Sequence, residues 1–68
     1  MTNNQELKKL MADIDELDQE AVAEYTDSSV DAVKGWGSNP ASSRYRNMPP
    51  SKLKLLKLEL RERQLLQD

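Results

Sequence analysis

Cysteine, histidine and phenylalanine are absent from this sequence, which contains only one Trp and two Tyr. Without cysteine or histidine the chain can form no disulfide, none of the usual zinc sites and no histidine-dependent catalytic group. We therefore expect no metal, no other cofactor and no enzymatic activity. Few aromatic residues beside many leucines are typical of a small helical protein rather than of a β-sandwich or barrel.

Long apolar runs are also missing. No stretch could cross a bilayer, and the first ten residues, MTNNQELKKL, lack the apolar core and cleavage site of a secretion signal. We expect a cytoplasmic protein with no membrane partner. The 68 residues allow a single domain, 1–68, whose core is marginal unless a second subunit supplements it. So small a domain leaves no room for a ligand-sensing unit, and we expect no small-molecule ligand.

Charge is unevenly distributed along the chain. Residues 1–27 carry two basic against eight acidic residues, a net −6, whereas residues 28–58 carry six basic against one acidic residue, a net +5. Residues 59–68 add −1, which gives the overall charge of −2. A basic segment in a mildly acidic chain indicates one face that meets nucleic-acid phosphates. The alternative is a chance polarity with both faces solvated.

Two helices are predicted in the acidic part of the chain. Residues 1–5 are expected to be frayed, with Thr2, Asn3 or Asn4 able to cap the first helix. Asp18 is the predicted N-cap of a second helix from Gln19 to Tyr25, with Leu17 and Val22 forming a hydrophobic staple. The acidic connection before it lacks the ligand spacing and the glycine of a calcium loop. The first helix is predicted from an apolar stripe that should close over the core, made of Leu7, Leu10, Met11 and Ile14.

The stretch from Ala23 to Trp36, AEYTDSSVDAVKGW, has the pattern of two short helices packed across a tight turn. Ala23 is small where the helix axes approach, Val33 follows ten residues later, and Trp36 lies three residues further on the same face. Over residues 17–60 this arrangement resembles the helix-turn-helix of phage and bacterial repressors of the Cro/CI-like family. In that family such residues hold the second helix for the DNA major groove.

The turn departs from the family pattern at two positions. Asp27 stands where the family usually has Gly, and Asp tolerates the left-handed conformation that the turn needs. Ser28 stands where an aliphatic residue is common. The N-cap of the third helix is either Ser28, in a capping box with Asp31, or Ser29. This helix should end by residue 35 or 37, with Ala32, Val33 and Trp36 facing inward.

The outward face of the third helix is the candidate surface for reading DNA bases. Val30 can cover a thymine methyl group, and Lys34 can reach guanine or a phosphate. Asp31 either accepts from a cytosine amino group or only caps the helix. Gly35, also placed outward, is explained either by close approach of backbone to DNA or by helix termination.

A polar loop from Gly37 to Met48 follows, and its Arg44-Tyr45-Arg46 segment suits phosphate clamping or insertion into a narrow minor groove. A disordered surface loop is the alternative. Gln19, at the start of the second helix, could also donate to a phosphate. The complete candidate DNA-binding set is Gln19, Ser28, Ser29, Val30, Asp31, Lys34, Asn39, Ser43, Arg44, Tyr45 and Arg46.

The last helix, which begins at Pro49-Pro50-Ser51, carries two apolar stripes on nearly opposite sides. The first should pack on the protein's own core and consists of Leu53, Leu56 and Leu60. The second needs a partner, and we expect it to join two copies of the chain through Leu55, Leu58, Leu65 and Leu66. A two-fold homodimer suits a palindromic DNA site.

These patterns predict an all-α, four-helix domain with a helix-turn-helix that dimerises through its C-terminal helix. The resemblance implies a transcriptional repressor that binds an inverted-repeat operator in double-stranded DNA as a homodimer and excludes polymerase. Stand-alone domains of this size resemble phage regulators and the anti-CRISPR-associated autorepressors, which control their own operons. The alternative is a protein-interaction module, such as an antitoxin or adaptor, that uses the acidic N-terminal half or the leucine-rich last helix.

Overall fold

Four helices and no strand make up residues 2–66, the part of the chain that the computed structural model describes. They are α1 (Asn3–Asp13), α2 (Gln19–Tyr25), α3 (Val30–Gly37) and α4 (Pro50–Glu62). Both α1 and α2 pack against α3 and against α4, within a radius of gyration of 11.1 Å. The all-α, four-helix prediction is therefore confirmed. None of the described helices has the length and apolar character needed to cross a membrane.

The beginning of α1 differs from the sequence-based expectation, because residues 2–5 are not frayed. Thr2 is the N-cap: its Oγ1 accepts from the N–H of Gln5 at 3.1 Å, and Gln5 Oε1 accepts from the N–H of Thr2 at 2.9 Å. This reciprocal pair is a capping box, which satisfies two backbone donors that a helix start leaves free. Asn4, in the first turn, is buried. Met1 lies outside the described residues.

The core collects side chains from all four helices and from the loop before α4. The predicted inward residues Val33 and Trp36 of α3 are buried, and so is Met48 of the loop. At the surface, Glu6 Oε2 and Lys57 Nζ lie 2.7 Å apart and join α1 to α4. This ion pair lowers the pKa of Glu6 through the hydrogen bond and charge of Lys57. The buried apolar residues are Leu7, Ile14, Leu17, Val22, Ala23, Val33, Trp36, Met48, Leu53, Leu56 and Leu60.

The turn between α2 and α3 is built as the sequence predicts around a left-handed Asp27, whose φ is 53°. The N–H of Ser28 donates to Ala23 O at 2.8 Å, and the N–H of Asp27 donates to Glu24 O at 3.3 Å. This pair of bonds is a Schellman motif, which satisfies carbonyl groups at a helix end. Lys52 Nζ adds a hydrogen bond to Thr26 O at 2.9 Å. α4 therefore also holds the turn that places α3.

The end of α4 corrects the predicted second leucine stripe. The helix stops at Glu62, because Gln64 takes a left-handed conformation with φ of 61° and the N–H of Leu65 donates back to Leu60 O at 2.8 Å. Leu65 and Leu66 consequently pack against the protein's own core. They do not continue the outward face of α4, and their role as dimer-interface residues stays a prediction. Leu55 and Leu58 remain exposed, at 43% and 46%.

Candidate nucleic-acid interface

The start of α3 presents polar and aliphatic side chains to solvent. Ser29 is the N-cap, and its Oγ accepts from the N–H of Ala32 at 3.1 Å. The predicted capping box of Ser28 with Asp31 does not form, because Ser28 Oγ instead donates to Thr26 O at 3.2 Å. The N-cap of α3 therefore lies one residue later than a capping box of Ser28 with Asp31 requires. The exposed side chains of this helix include Val30, Asp31 and Lys34.

The loop between α3 and α4, residues 38–49, is folded against α3. The N–H of Arg46 donates to Gly35 O at 3.0 Å, which ties the middle of the loop to the helix backbone. Two further backbone bonds form turns within the loop, from Ser42 N–H to Asn39 O at 2.8 Å and from Tyr45 N–H to Ser42 O at 3.1 Å. The disordered alternative does not hold, since the segment is organised by its own turns and by its contact with α3.

Gly35 lies where the loop meets α3, not on the outward face where the sequence places it. It is buried, and a Cβ atom there would lie 2.9 Å from Arg46 Cγ and 3.0 Å from Arg44 O. The first distance forces the contact to shift, and the second requires the loop backbone to move by a few tenths of an ångström. The glycine therefore permits close approach of the loop, which places Arg44 and Arg46 directly beside α3.

Asn4 of α1 fixes the same loop from the other side. Its Nδ2 donates to Arg46 O at 2.7 Å and to Trp36 O at 2.9 Å, while its Oδ1 accepts from the N–H of Met48 at 2.9 Å. The neighbouring Asn3 donates to Met48 O at 3.0 Å. Sequence reasoning missed Asn4, because an asparagine in a first helical turn gives no sign of partners 32 to 44 residues away.

An open groove of about 720 Å³ runs between α3 and the loop. Three cationic side chains line it: Lys34 from the helix, and Arg44 and Arg46 from the loop. Within residues 2–66 none of the three lies within 4.0 Å of a carboxylate oxygen. Arg46 Nη1 donates to Tyr45 O at 3.0 Å and to Ser43 O at 3.3 Å, which steadies its guanidinium. Asp31 is the acidic residue of the lining.

The structure brings together part of the candidate set and separates the rest from the groove. Ser29, Asp31, Lys34, Arg44 and Arg46 line it. Gln19 lies instead in a shallow depression with Asp18 and Glu20, whose charges oppose a phosphate. The remaining candidates lie outside the groove lining and are Ser28, Val30, Asn39, Ser43 and Tyr45.

Comparison of the chain with protein-family models, with curated proteins and with solved structures gives no significant match. The functional inference therefore depends on what the groove can do chemically. Its cations lie beside an exposed helix face, and an anionic ligand would supply the charge partners that the described part of the chain does not. An extended polyanion fits an open, shallow groove better than a small anion, which needs an enclosing pocket.

Replacing Gly35 by alanine should push the loop away from α3 and weaken binding of an extended polyanion such as duplex DNA by roughly tenfold. Alanine favours a helix over glycine by about 1 kcal/mol. Overpacking against Arg44 O and Arg46 costs about 1–3 kcal/mol, so the free energy of unfolding should fall by about 0–2 kcal/mol in total. The measurements are thermal unfolding and titration of labelled duplex.

Gly37→Ala is the matched control, because a Cβ at Gly37 meets nothing within 4 Å. It should leave DNA binding unchanged. Equal effects of the two substitutions would contradict the idea that contact between loop and helix matters for binding.

Proposed function

We propose that this protein binds double-stranded DNA in a sequence-specific manner and acts as a homodimeric transcriptional repressor of its own operon. The observation that carries the proposal is the groove between α3 and the loop, where Lys34, Arg44 and Arg46 come together without a carboxylate partner among residues 2–66. DNA phosphates are the ligands that guanidinium and ammonium groups in such an arrangement attract. The groove thus supplies the electrostatic part of the affinity.

In the proposed complex, the exposed side of α3 contacts the DNA bases and so recognises the DNA sequence. The resemblance of α2, the turn and α3 to a helix-turn-helix supports insertion of α3 into the major groove. Val30, 37% exposed, is available to a thymine methyl group, and Lys34 to guanine O6 and N7. Ser29 already uses its hydroxyl oxygen to cap α3, so its contribution to base reading is the smaller one.

Dimerisation is proposed through the remaining outward leucines of α4, Leu55 and Leu58. Large apolar side chains half-exposed on one helix face are what an interface between two copies would cover. A two-fold interface uses the same patch on both subunits and would present two copies of α3 to two half-sites. An inverted repeat is therefore the expected operator, and its occupation would exclude polymerase from the promoter.

The proposal is tested by selecting DNA from a randomised duplex pool, sequencing the winners and titrating the best site against salt. Static light scattering on the same sample gives the mass of the free protein and of the complex. Enrichment of an inverted repeat, bound by a dimer with steep salt dependence, is the expected result. Failure to enrich any sequence at low salt would overturn the DNA-binding function.

Lys34→Ala should weaken binding to the selected site by about 1–3 kcal/mol and relax base preference at the position that Lys34 contacts. Binding to random duplex should fall much less. Lys8→Ala is the matched control, since it removes one exposed lysine from α1 and should leave the preference intact. Equal losses on selected and random duplex would make Lys34 a phosphate contact only.

The second candidate function is a protein-interaction module, an antitoxin or adaptor, and the exposure of Leu55 and Leu58 favours it. Here the leucine face would bind a different protein instead of a second copy. This function predicts a monomer in light scattering and a DNA affinity that is absent or insensitive to changes at Lys34, Arg44 and Arg46. A pull-down in which Leu55→Glu releases one defined protein would support it.

A further inference from the structure

The side chain of Asn4 forms hydrogen bonds through both of its polar atoms, Oδ1 and Nδ2, to the segment that forms the groove. It is 5% exposed and makes three hydrogen bonds of 2.7–2.9 Å, all to backbone groups. These groups belong to Trp36 near the end of α3, to Arg46 in the loop and to Met48 just before α4. A single amide thus joins the helix, the middle of the loop and the end of the loop to α1.

The backbone of Arg46 is held from two sides by this arrangement. Its N–H donates to Gly35 O of α3 at 3.0 Å, and its carbonyl oxygen accepts from Asn4 Nδ2 of α1 at 2.7 Å. Connections in compact domains usually have about 4–6 residues, so a loop of this length needs such anchors to keep one conformation. The position of the Arg46 side chain, and of Arg44 two residues before it, follows from where this backbone is fixed.

We propose that Asn4 is a positioning residue of the groove: it holds the loop so that Arg44 and Arg46 stand beside α3, without contacting the DNA itself. The proposal rests on the DNA-binding function proposed above. Loss of the amide would remove a hydrogen-bond partner from the Met48 N–H and from the carbonyl groups of Trp36 and Arg46. The loop can give these groups new hydrogen bonds by moving out into water. Opening the apolar core would bring no comparable gain.

Asn4→Ala should therefore weaken DNA binding in the same way as removal of the Arg44 and Arg46 side chains. The slope of log affinity against log salt should become shallower by about 2, because two phosphate contacts are lost. Adding Asn4→Ala to a chain that already carries Arg44→Ala and Arg46→Ala should change the slope no further, since residues that act through one element are not additive.

Ile14→Ala is the control for a purely structural effect. Ile14 is buried at the opposite end of α1, about 15 Å along the helix from Asn4, and makes its apolar contacts in the core. Compared at a temperature where both variants are folded, Ile14→Ala should keep the wild-type slope despite lower thermal stability. The same slope in both variants would reduce Asn4 to a stabilising residue and overturn the proposal.

Hydrogen exchange by NMR tests the positioning role without DNA. In the wild-type protein the amide protons of Arg46 and Met48, both hydrogen-bonded, should exchange far more slowly than in an open chain. If Asn4→Ala fails to fold, Asn3→Ala, which removes only the bond to Met48 O, should speed exchange at Met48 in a folded protein. Rapid exchange of both amides in the wild type would refute the positioning role. Slow exchange in a protein that binds no DNA would refute the groove's function instead.

Discussion

Replacing Arg44 and Arg46 together by alanine should lower affinity for the selected operator by about a hundredfold and flatten its salt dependence by a slope of about 2. Each guanidinium lines the groove beside α3 without a carboxylate partner among the described residues. Each is therefore expected to replace counterions on one phosphate. Fluorescence anisotropy with labelled duplex at several salt concentrations gives both quantities.

The control for this double substitution removes the same charge elsewhere. Lys8→Ala and Lys9→Ala together take two exposed cations from α1, where acidic residues follow along the chain. Long-range attraction then falls by the same net charge, but no groove contact is lost. An unchanged slope in the Arg44 and Arg46 variant, or equal slopes in both doubles, would mean that the loop does not touch phosphates.

Changing Leu55 and Leu58 to glutamate should convert the dimer to monomers and reduce affinity for a full inverted repeat by about 10²–10⁴. Two carboxylates on each copy would meet their counterparts across a two-fold interface, and their desolvation opposes association. Light scattering measures the mass, and titration with full and half operators measures the loss of linked binding. Affinity for a single half-site should stay close to that of the wild type.

Lys9→Glu changes the net charge by the same two units as this double substitution and serves as its control. It lies in α1, so it should leave the dimer intact. A dimer that survives glutamate at both leucines would place the interface elsewhere on the chain. With Leu65 and Leu66 packed inward, the outward apolar face of α4 is short, which makes this substitution a sensitive test.

Short-range signals in the sequence predict the helices well. Asp18 caps α2 through its side chain, which accepts from the N–H of Ala21 at 2.8 Å. The left-handed conformation of Asp27 is predictable because Asp is one of the few residue types that tolerate it. The inward stripe of α4 follows equally from spacing, and Leu53, Leu56 and Leu60 are all buried. In each case the cause lies within about one helical turn of the residue concerned.

The groove was only half predictable, because its geometry depends on partners distant in sequence. Residue type and position predict the candidate cations, but helical spacing predicts the wrong face for Gly35, which admits the loop. Gly35 packs against Arg44 and Arg46, and the spacing of residues in α3 does not predict that contact. The sequence does not predict that α4 ends at Glu62, because the left-handed residue after this end is Gln64, a residue type with little preference for that conformation.

The hydrogen bonds of Asn4 also constrain the order in which the protein is completed. Its acceptor and donor groups on Arg46 and Met48 lie 42 and 44 residues further along the chain. During synthesis α1 emerges first, yet its buried amide has no partner until the segment before α4 has left the ribosome. The nascent chain should therefore complete the groove between α3 and the loop only after Met48 has emerged.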